Sequence, residues 1–330
     1  MTAGRATLFI VFLACSSALS QDTPALKLTK VIPLPNVAGR IDHMDIDSNT
    51  GRVFVAALGN NTVEVVGLRE GRVLRTLKGF HEPQGVLYLA DLHRLYVTNG
   101  GDGTCAILDG KTLERVKSLP DLEDADNIRY SNPEKMVYVG FGNGGLAAID
   151  PAKEETIHRM TLPAHPESFQ VESAGTRIFV NVPGDRKIVV IDRASRKAVA
   201  AWSLNGTESN FPMAVDENGH RVFVGCRSPA RLLVFDALTG RAVATLPIGG
   251  DVDDVFFDAG RHRLYVSCGE GILDVISQQD AETYKKISRV VTRRGARTSL
   301  FIPRSDLLLV AVPGSGDAGA EIRVYSIPGH

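Results

Sequence analysis

One short motif dominates this 330-residue chain because it recurs at a nearly constant interval. In RLYVTNGGDGT, which begins at Arg94, alternating residues that favour β structure run into a turn rich in Asn and Gly, which indicates a strand entering a hairpin. The seven related copies begin at Arg52, Arg94, Met136, Arg177, Arg221, Arg263 and Leu307. Successive copies are 42, 42, 41, 44, 42 and 44 residues apart, a period that predicts a repeat fold built from small β-sheets.

The two ends of the chain predict how the ring of repeats closes. Each repeat supplies an inner strand, the motif strand and two further strands, but the last repeat, which ends near Pro328, supplies only three. Residues 25–35 (ALKLTKVIPLP) read as one more strand with no preceding partner. We therefore expect an all-β, seven-bladed β-propeller in which the N-terminal strand completes the last blade and removes an open sheet edge. Helical periodicity is confined to a weak signal at residues 280–286.

The N-terminus indicates an exported protein. A basic residue precedes an apolar run at residues 6–14, and small residues at 18–20 (ALS) suit a signal peptidase, so we expect cleavage before Gln21. The apolar run is too short to span a bilayer, which requires about 20 residues. The chain thus divides into a signal peptide, residues 1–20, and a single propeller domain, residues 21–330, located in the periplasm or outside the cell.

Charge and cysteine content narrow the function classes. The formal net charge is −1 and no basic cluster is present in the sequence, which argues against nucleic acid as a partner. The sequence has no CxxCH haem-attachment motif, and the glycine-rich residues 100–103 lie between two strands rather than before a helix, so we expect neither haem nor a nucleotide. Sparse cysteines favour buried thiols, although a bridge between Cys226 and Cys268 stays open. We expect a monomer.

With RLYVTNG, MVYVG and VID in register across the repeats, residues 40–328 resemble the YVTN-type β-propeller family, which occurs among exported bacterial and archaeal proteins, including surface-layer proteins. The resemblance implies a seven-bladed propeller outside the cytoplasm. It leaves the ligand open, because the shared motif is the part of the repeat that builds blades. Function should therefore be sought where the repeats differ.

The segments that lead into the inner strands differ between repeats. Counting back ten residues from each motif gives seven positions, the mouth ring, that should encircle one mouth of the central channel. The mouth ring consists of Asp42, Gln84, Asp126, Glu167, Phe211, Asp253 and Arg297. The next position in each repeat gives His43, Gly85, Asn127, Ser168, Pro212, Asp254 and Thr298. Four carboxylates at a narrow mouth repel one another unless a cation or donor offsets them, so this ring is the main functional signal.

The ring favours a binding protein with a polar, acidic mouth, whose ligand is a small molecule, a cation or a protein partner. The candidate ligand-binding residues are Asp42, His43, Gln84, Asp126, Asn127, Glu167, Phe211, Asp253, Asp254 and Arg297. Phe211 and Arg297 are of the types that anchor binding hot spots, and would contact a cationic group or a protein. An alternative is that the acids only cap backbone amides of adjacent blades and hold water in the channel.

Two further chemistries fit the same residues. Oxygen-rich ligands suit a divalent cation such as Ca²⁺ or Mn²⁺, and a histidine among them also allows a transition metal. The candidate metal ligands are Asp42, His43, Asp126, Glu167 and Asp253. Alternatively, the mouth performs acid–base catalysis, as in propeller lactonases or a propeller lyase, with a carboxylate whose pKa is raised by its neighbours as the acid and a histidine as the base. The candidate catalytic residues are His43, His165 and Glu167.

Overall fold

The computed structural model of the protein describes residue 1 and residues 24–329, and its architecture is a seven-bladed β-propeller. Between residues 24 and 329, 28 strands form seven four-stranded antiparallel sheets, so the predicted fold is confirmed. The predicted signal peptide, residues 1–20, lies outside the described residues apart from Met1. No helix within residues 24–329 is long and apolar enough to cross a membrane.

Each blade runs from an inner strand at the channel to an outer strand at the rim. The inner strands of blades 1–7 are β2 (Met44–Asp47), β6 (Pro83–Leu89), β10 (Ile128–Ser131), β14 (Phe169–Val171), β18 (Glu208–Asp216), β22 (Val252–Asp258) and β26 (Ser299–Ile302). The second strands, which carry the motif, are β3 (Arg52–Ala57), β7 (Arg94–Asn99), β11 (Met136–Phe141), β15 (Arg177–Val182), β19 (Arg221–Ser228), β23 (Arg263–Cys268) and β27 (Leu307–Val312). The third strands are β4 (Thr62–Gly67), β8 (Thr104–Asp109), β12 (Gly145–Asp150), β16 (Lys187–Asp192), β20 (Ala230–Asp236), β24 (Ile272–Gln278) and β28 (Ala320–Ser326). The outer strands are β5 (Arg72–Leu77), β9 (Arg115–Leu119), β13 (Glu155–Thr161), β17 (Lys197–Ser203), β21 (Ala242–Pro247), β25 (Tyr284–Val291) and β1 (Lys27–Leu34).

The motif strands are buried on both faces because each blade packs between two others. Residues 53–57 of β3 are all fully buried, which explains why the motif reads as a continuous apolar run. Seven apolar clusters fill the molecule, and each forms between two adjacent blades. In one of them, Phe54 of blade 1 stacks on Tyr88 of blade 2, with ring centroids 5.3 Å apart. The core is therefore distributed around the ring.

The N-terminal strand closes the ring, as predicted. Strand β1 pairs antiparallel with β28, from Lys27 opposite Ser326 to Leu34 opposite Ala320. Ile32 lies opposite Ile322, and both side chains are fully buried. This pairing completes the last blade and satisfies backbone groups that an unpaired edge would expose.

Residues 280–286 do not form a helix, so that part of the sequence analysis is wrong. Asp280 Oδ1 accepts hydrogen bonds from the backbone N–H groups of Glu282 and Thr283, both at 2.8 Å. Such a side-chain cap stabilises a turn that competes with helix formation. Strand β25 begins at Tyr284, and its residues alternate between half-buried and exposed as expected for an outer strand.

The cysteines behave as small apolar residues. Cys105, Cys226 and Cys268 are free and buried, so the preference for buried thiols over a bridge is confirmed. Burial raises the pKa of the Cys226 thiol to about 11, which keeps it protonated and poorly nucleophilic at neutral pH.

Ring closure predicts unequal effects of mutation along β1. Ile32→Ala removes a fully buried side chain from the cluster shared by blades 7 and 1, and should lower the free energy of unfolding by about 2–5 kcal/mol. Val31→Ala, at a neighbour that is 44% exposed, should change it by less than about 0.5 kcal/mol. Chemical denaturation measures both effects, and equal effects would contradict a closing role for β1.

Candidate functional site

All seven residues of the mouth ring line one cavity, at the end of the channel where the inner strands begin. The cavity has a volume of about 250 Å³. Its other lining residues are Arg40, His43, Asp124, Asn127, His165, Ser168 and Arg227. Five carboxylates and three guanidinium groups therefore face the same small space, so the mouth carries more positive charge than the single arginine of the predicted ring supplies.

Contacts between neighbouring blades hold the ring segments in place. The backbone N–H of His43 in blade 1 donates to the Gln84 carbonyl of blade 2 (3.2 Å). Thr98 Oγ1 of blade 2 donates in turn to the Asp126 carbonyl of blade 3 (2.6 Å). Gly85 allows this close approach, because a Cβ atom there would lie 2.5 Å from the same carbonyl oxygen. The backbone at the mouth is therefore fixed by the blades on either side.

Asp42 is fully buried and paired on both oxygens. Arg40 Nη2 donates to Asp42 Oδ2 (2.5 Å), and His43 Nδ1 lies 2.6 Å from Asp42 Oδ1. Burial raises the pKa of Asp42, but the charges of His43 and Arg40 outweigh this and hold it below its usual range. Burial likewise lowers the pKa of His43, but Asp42 outweighs it and raises the value to about 10. Arg40, Asp42 and a protonated His43 thus form a self-contained charge cluster.

Asp253 is neutralised by two arginines. Arg227 Nη2 donates to Asp253 Oδ1 (2.5 Å), and Arg297 Nε lies 2.8 Å from Asp253 Oδ2. The Arg227 guanidinium also covers the ring of Phe211, 3.6 Å from its centroid. Burial raises the pKa of Asp253, and Arg297 and Arg227 oppose that shift. Phe211 therefore contacts Arg227 through a cation–π interaction, and this face of its ring is not available to a ligand.

A third group of side chains, the acceptor cluster, consists of Asp126, Asn127 and Glu167. These side chains have no cationic partner like those of Asp42 and Asp253. Among residues 24–329, Asp126 Oδ1 and Asn127 Oδ1 are buried without a hydrogen-bond partner. Asp42 Oδ1 and Asp253 Oδ2 also lack a well-aligned hydrogen bond, but each lies within 2.8 Å of a cationic nitrogen atom. Within residues 24–329 the Glu167 carboxylate has neither a hydrogen bond nor an ion pair. Burial and the nearby Asp42 raise the pKa of Asp126 to about 6, while burial, Asp126 and Asp253 raise that of Glu167 to about 8. This cavity therefore offers free acceptor atoms to hydrogen-bond donors and to a positively charged group.

The five candidate metal ligands are only partly brought together. Potential ligand atoms of Asp42, His43 and Asp126 lie within 4.8 Å of one another, and Glu167 and Asp253 are outside this group. Both oxygens of Asp42 already contact Arg40 or His43, and these cationic groups would repel a metal ion placed beside them. The donor set suits a divalent cation poorly.

Two acids near the channel do cap backbone amides of adjacent blades, as the structural alternative requires. Asp254 Oδ2 accepts from the Ser299 N–H (2.7 Å), and Asp45 Oδ2 accepts from the Tyr88 N–H (2.6 Å). Asp254 lines a second cavity deeper in the channel, not the mouth. Capping thus explains Asp254 but leaves the acceptor cluster unexplained.

The candidate base His165 faces the mouth but is engaged elsewhere. Its Nδ1 donates to the Gly142 carbonyl (2.7 Å) and lies 3.6 Å from Asp124 Oδ2. Gln84 Nε2 donates weakly to the other oxygen of Asp124 (3.4 Å). The other candidate base, His43, is paired with Asp42, so neither histidine is a free base poised against Glu167.

The sequence analysis missed Arg40, Asp124 and Arg227, although the repeat register contains signals for all three. Arg40, Asp124 and His165 share the position two residues before the mouth ring. Arg227 lies six residues after the start of its motif, where the other repeats carry Leu58, Gly100, Gly142, Pro183, Gly269 and Pro313. Arg227 is the charged residue at a position that is otherwise leucine, glycine or proline. Blade building does not require a charge there, so the position can be recognised as exceptional from the sequence.

Comparisons with known proteins bear on the fold alone. No protein-family model matches the chain, and no curated protein matches it in sequence. A chain from the crystal structure of the mitotic checkpoint complex is similar, with a TM-score of 0.77 and 14% identity over 99% of both chains. Hydrazine synthase of Kuenenia stuttgartiensis gives a TM-score of 0.73 and 16% identity, over 91% of this chain and 96% of that one. At such identities the likeness shows a shared propeller architecture.

The raised pKa of Glu167 predicts a pH-dependent effect of its removal. A glutamate with the ordinary pKa of 4.5 ionises in the unfolded chain, whereas folded Glu167 keeps its proton up to about pH 8. Between these values the folded state binds more protons, so this group makes the free energy of unfolding fall as pH rises. Glu167→Gln removes the contribution, and should therefore stabilise the protein more at pH 8 than at pH 5.

Chemical denaturation at both pH values tests this expectation. Glu155→Gln is the matched control, because Glu155 is an exposed glutamate on the outer strand β13, and its effect should be the same at both pH values. A Glu167→Gln effect that does not change with pH would show that the folded state does not hold this proton.

Proposed function

We propose that the protein is an exported binding protein whose channel mouth binds a small organic cation, held by Asp126, Asn127 and Glu167. The observation that carries the proposal is the pair of buried acceptor atoms, Asp126 Oδ1 and Asn127 Oδ1, that have no donor among residues 24–329. A buried acceptor left unsatisfied costs about 1–3 kcal/mol, and a ligand with N–H groups would recover that cost.

The charges around the cavity support an ammonium-type ligand in particular. Asp42 and Asp253 already have cationic partners, so Asp126 and Glu167 are the buried carboxyl groups that can supply negative charge to a ligand once they lose their protons. An alkylammonium group carries several donors and one positive charge, which matches two carboxylates and an amide oxygen. The volume of about 250 Å³ limits the ligand to a small molecule.

Export, and membership of the YVTN-type family, belong to the same proposal and are supported by residues 1–20 and by the repeated motif. Mass spectrometry of the protein recovered outside the cytoplasm should give a chain that begins at Gln21. A recovered chain that retains residues 1–20 would contradict cleavage at this signal.

The acceptor cluster predicts binding that strengthens with pH. Because the carboxyl groups of Asp126 and Glu167 must lose protons with pKa values of about 6 and about 8 to bind a cation, affinity should rise between pH 6 and pH 8. Isothermal titration calorimetry with a series of primary ammonium ions should show this rise. The apparent enthalpy should also depend on the buffer, because binding releases protons.

Variants locate the binding site. Asp126→Asn and Glu167→Gln should each weaken ammonium binding by about tenfold or more, the loss expected for one charge-assisted hydrogen bond. Asp124→Asn is the matched control, since Asp124 faces the same mouth but is 60% exposed. Equal binding by the wild type and Asp126→Asn would refute the proposed site. Binding of Ca²⁺ or Mn²⁺ alone, lost in Asp42→Asn, would favour the metal interpretation instead.

Acid–base catalysis on a small substrate is the second candidate, and the raised pKa of Glu167 is the observation that favours it. A carboxylic acid that keeps its proton at neutral pH, beside a small cavity, can serve as a general acid. Hydrolysis or elimination in a panel of lactones, abolished by Glu167→Gln and unaffected by Glu155→Gln, would favour an enzyme. Rates unchanged in Glu167→Ala and His43→Ala would exclude it.

A further inference from the structure

The channel has a second ring of residues, the channel ring, which lies three positions beyond the mouth ring. It consists of Asp45, Leu87, Arg129, Gln170, Ala214, Phe256 and Leu300. All seven line the second cavity, which has a volume of about 340 Å³. Three residues along an inner strand correspond to about 10 Å, so the two rings occupy different depths of the channel. His43 lines both cavities.

The second cavity differs chemically from the mouth. Leu87, Ala214, Phe256 and Leu300 give the channel ring a mainly apolar wall, and Phe257 adds a second aromatic side chain. Apolar side chains that line a partly enclosed cavity with a few polar groups are typical of small-molecule sites. Several of them also pack against the apolar clusters between the blades, as Leu300, Leu87 and Phe256 do. These side chains therefore contribute both to blade packing and to the cavity wall, so Arg129 is the residue that indicates a ligand.

Arg129 is the charged group of this cavity that lacks a partner. Its Nη1 donates to the carbonyl of the preceding residue, Ile128 (2.8 Å), and its guanidinium lies 5.9 Å from the centroid of the Phe169 ring. In the described part of the chain no carboxylate lies within 4.0 Å of its nitrogen atoms. A half-buried guanidinium without an anion leaves strong donors unused.

The charges of three acids, Asp254, Asp126 and Asp45, act on Arg129. Asp126 forms no ion pair with it, and the other two accept hydrogen bonds from the backbone. Asp45 accepts from the N–H groups of Ile46 (2.8 Å) and Tyr88 (2.6 Å), one on each carboxylate oxygen. Asp254 accepts from the Ser299 N–H (2.7 Å). These carboxylates satisfy amides at the joints between blades, and neither has turned toward Arg129. The anion that would complement this guanidinium is therefore not supplied by these two carboxylates.

We propose that the second cavity binds a small monocarboxylate with a compact apolar group. The carboxylate accepts hydrogen bonds from Arg129, and the apolar group packs against Leu87, Phe256 and Leu300. Gln170 Nε2 donates one N–H to the Met213 carbonyl (2.8 Å), which fixes the orientation of this side chain in the cavity wall. This site is separate from the acceptor cluster, and it does not depend on the function proposed for the mouth.

Calorimetry with benzoate as the probe tests the site. Benzoate should bind the wild-type protein, and its neutral analogue benzamide should bind at least about tenfold more weakly, because it cannot form the charge-assisted pair. This comparison needs no variant, so it remains decisive if substitutions in the channel impair folding. Equal binding of the two compounds, or no binding of benzoate, would overturn the proposal.

Variants place benzoate in the channel rather than at the arginines of the mouth. Arg129→Gln should weaken benzoate binding by about tenfold or more, and Arg129→Lys should restore part of it. Arg159→Gln is the matched control, because Arg159 also lies over a phenylalanine, Phe141, at 5.8 Å but is exposed on β13. Retention of full benzoate affinity by a folded Arg129→Gln protein would assign the anion to another site and refute the proposal.

Discussion

The structure depends on one packing constraint: a blade can bury its two faces only against its neighbours. Every apolar cluster therefore spans two blades, and the ring is stable only if the last blade meets the first. Strand β1 meets this requirement by pairing with β28. Closure then forces the seven inner strands toward a single axis. The residues that precede these strands are brought together whatever their chemistry, so their charges must be accommodated within a narrow channel.

The acids of the channel are paired in two ways. The acids that are paired in neither way are the candidates for ligand binding. Asp42 is offset by Arg40 and His43 of its own segment, and Asp253 by Arg227 of the preceding blade and Arg297 of the next one. Asp45 and Asp254 instead accept hydrogen bonds from backbone amides of the neighbouring blade. Among the described residues, neither a cationic side chain nor a backbone amide pairs with the carboxylate of Asp126 or of Glu167. Because other acids in comparable positions are satisfied, the acceptor cluster reflects a feature of this protein rather than of the fold.

The sequence was sufficient for architecture because blade building requires the same residues in every repeat. The spacing of the motif predicts seven blades, the closing strand and the seven positions of the mouth ring. It could not show which acids are neutralised, because that depends on long side chains such as Arg227, which reach across blades to partners 26 residues away. Counting positions in the repeats places His43 and Asp254 at the same level of the channel. In the structure the side chain of Asp254 lines the deeper cavity, not the mouth. The repeat register nevertheless marks Arg227 as an outlier, so part of this information was available.

Two charged groups of blade 3 that form no ion pair among the described residues, Asp126 and Arg129, have opposite charge and face different cavities. Asp126 is at the mouth, and Arg129 lies three residues further along the same segment, which corresponds to about 10 Å of extended chain, and the two form no ion pair. A cation held by Asp126 and a carboxylate held by Arg129 would attract each other by about 0.4–1.7 kcal/mol, for effective dielectric constants between those of water and a protein surface. Such a coupling would be reciprocal, so each ligand would strengthen the binding of the other. The two proposed sites, if both are occupied, would therefore be positively coupled through the channel.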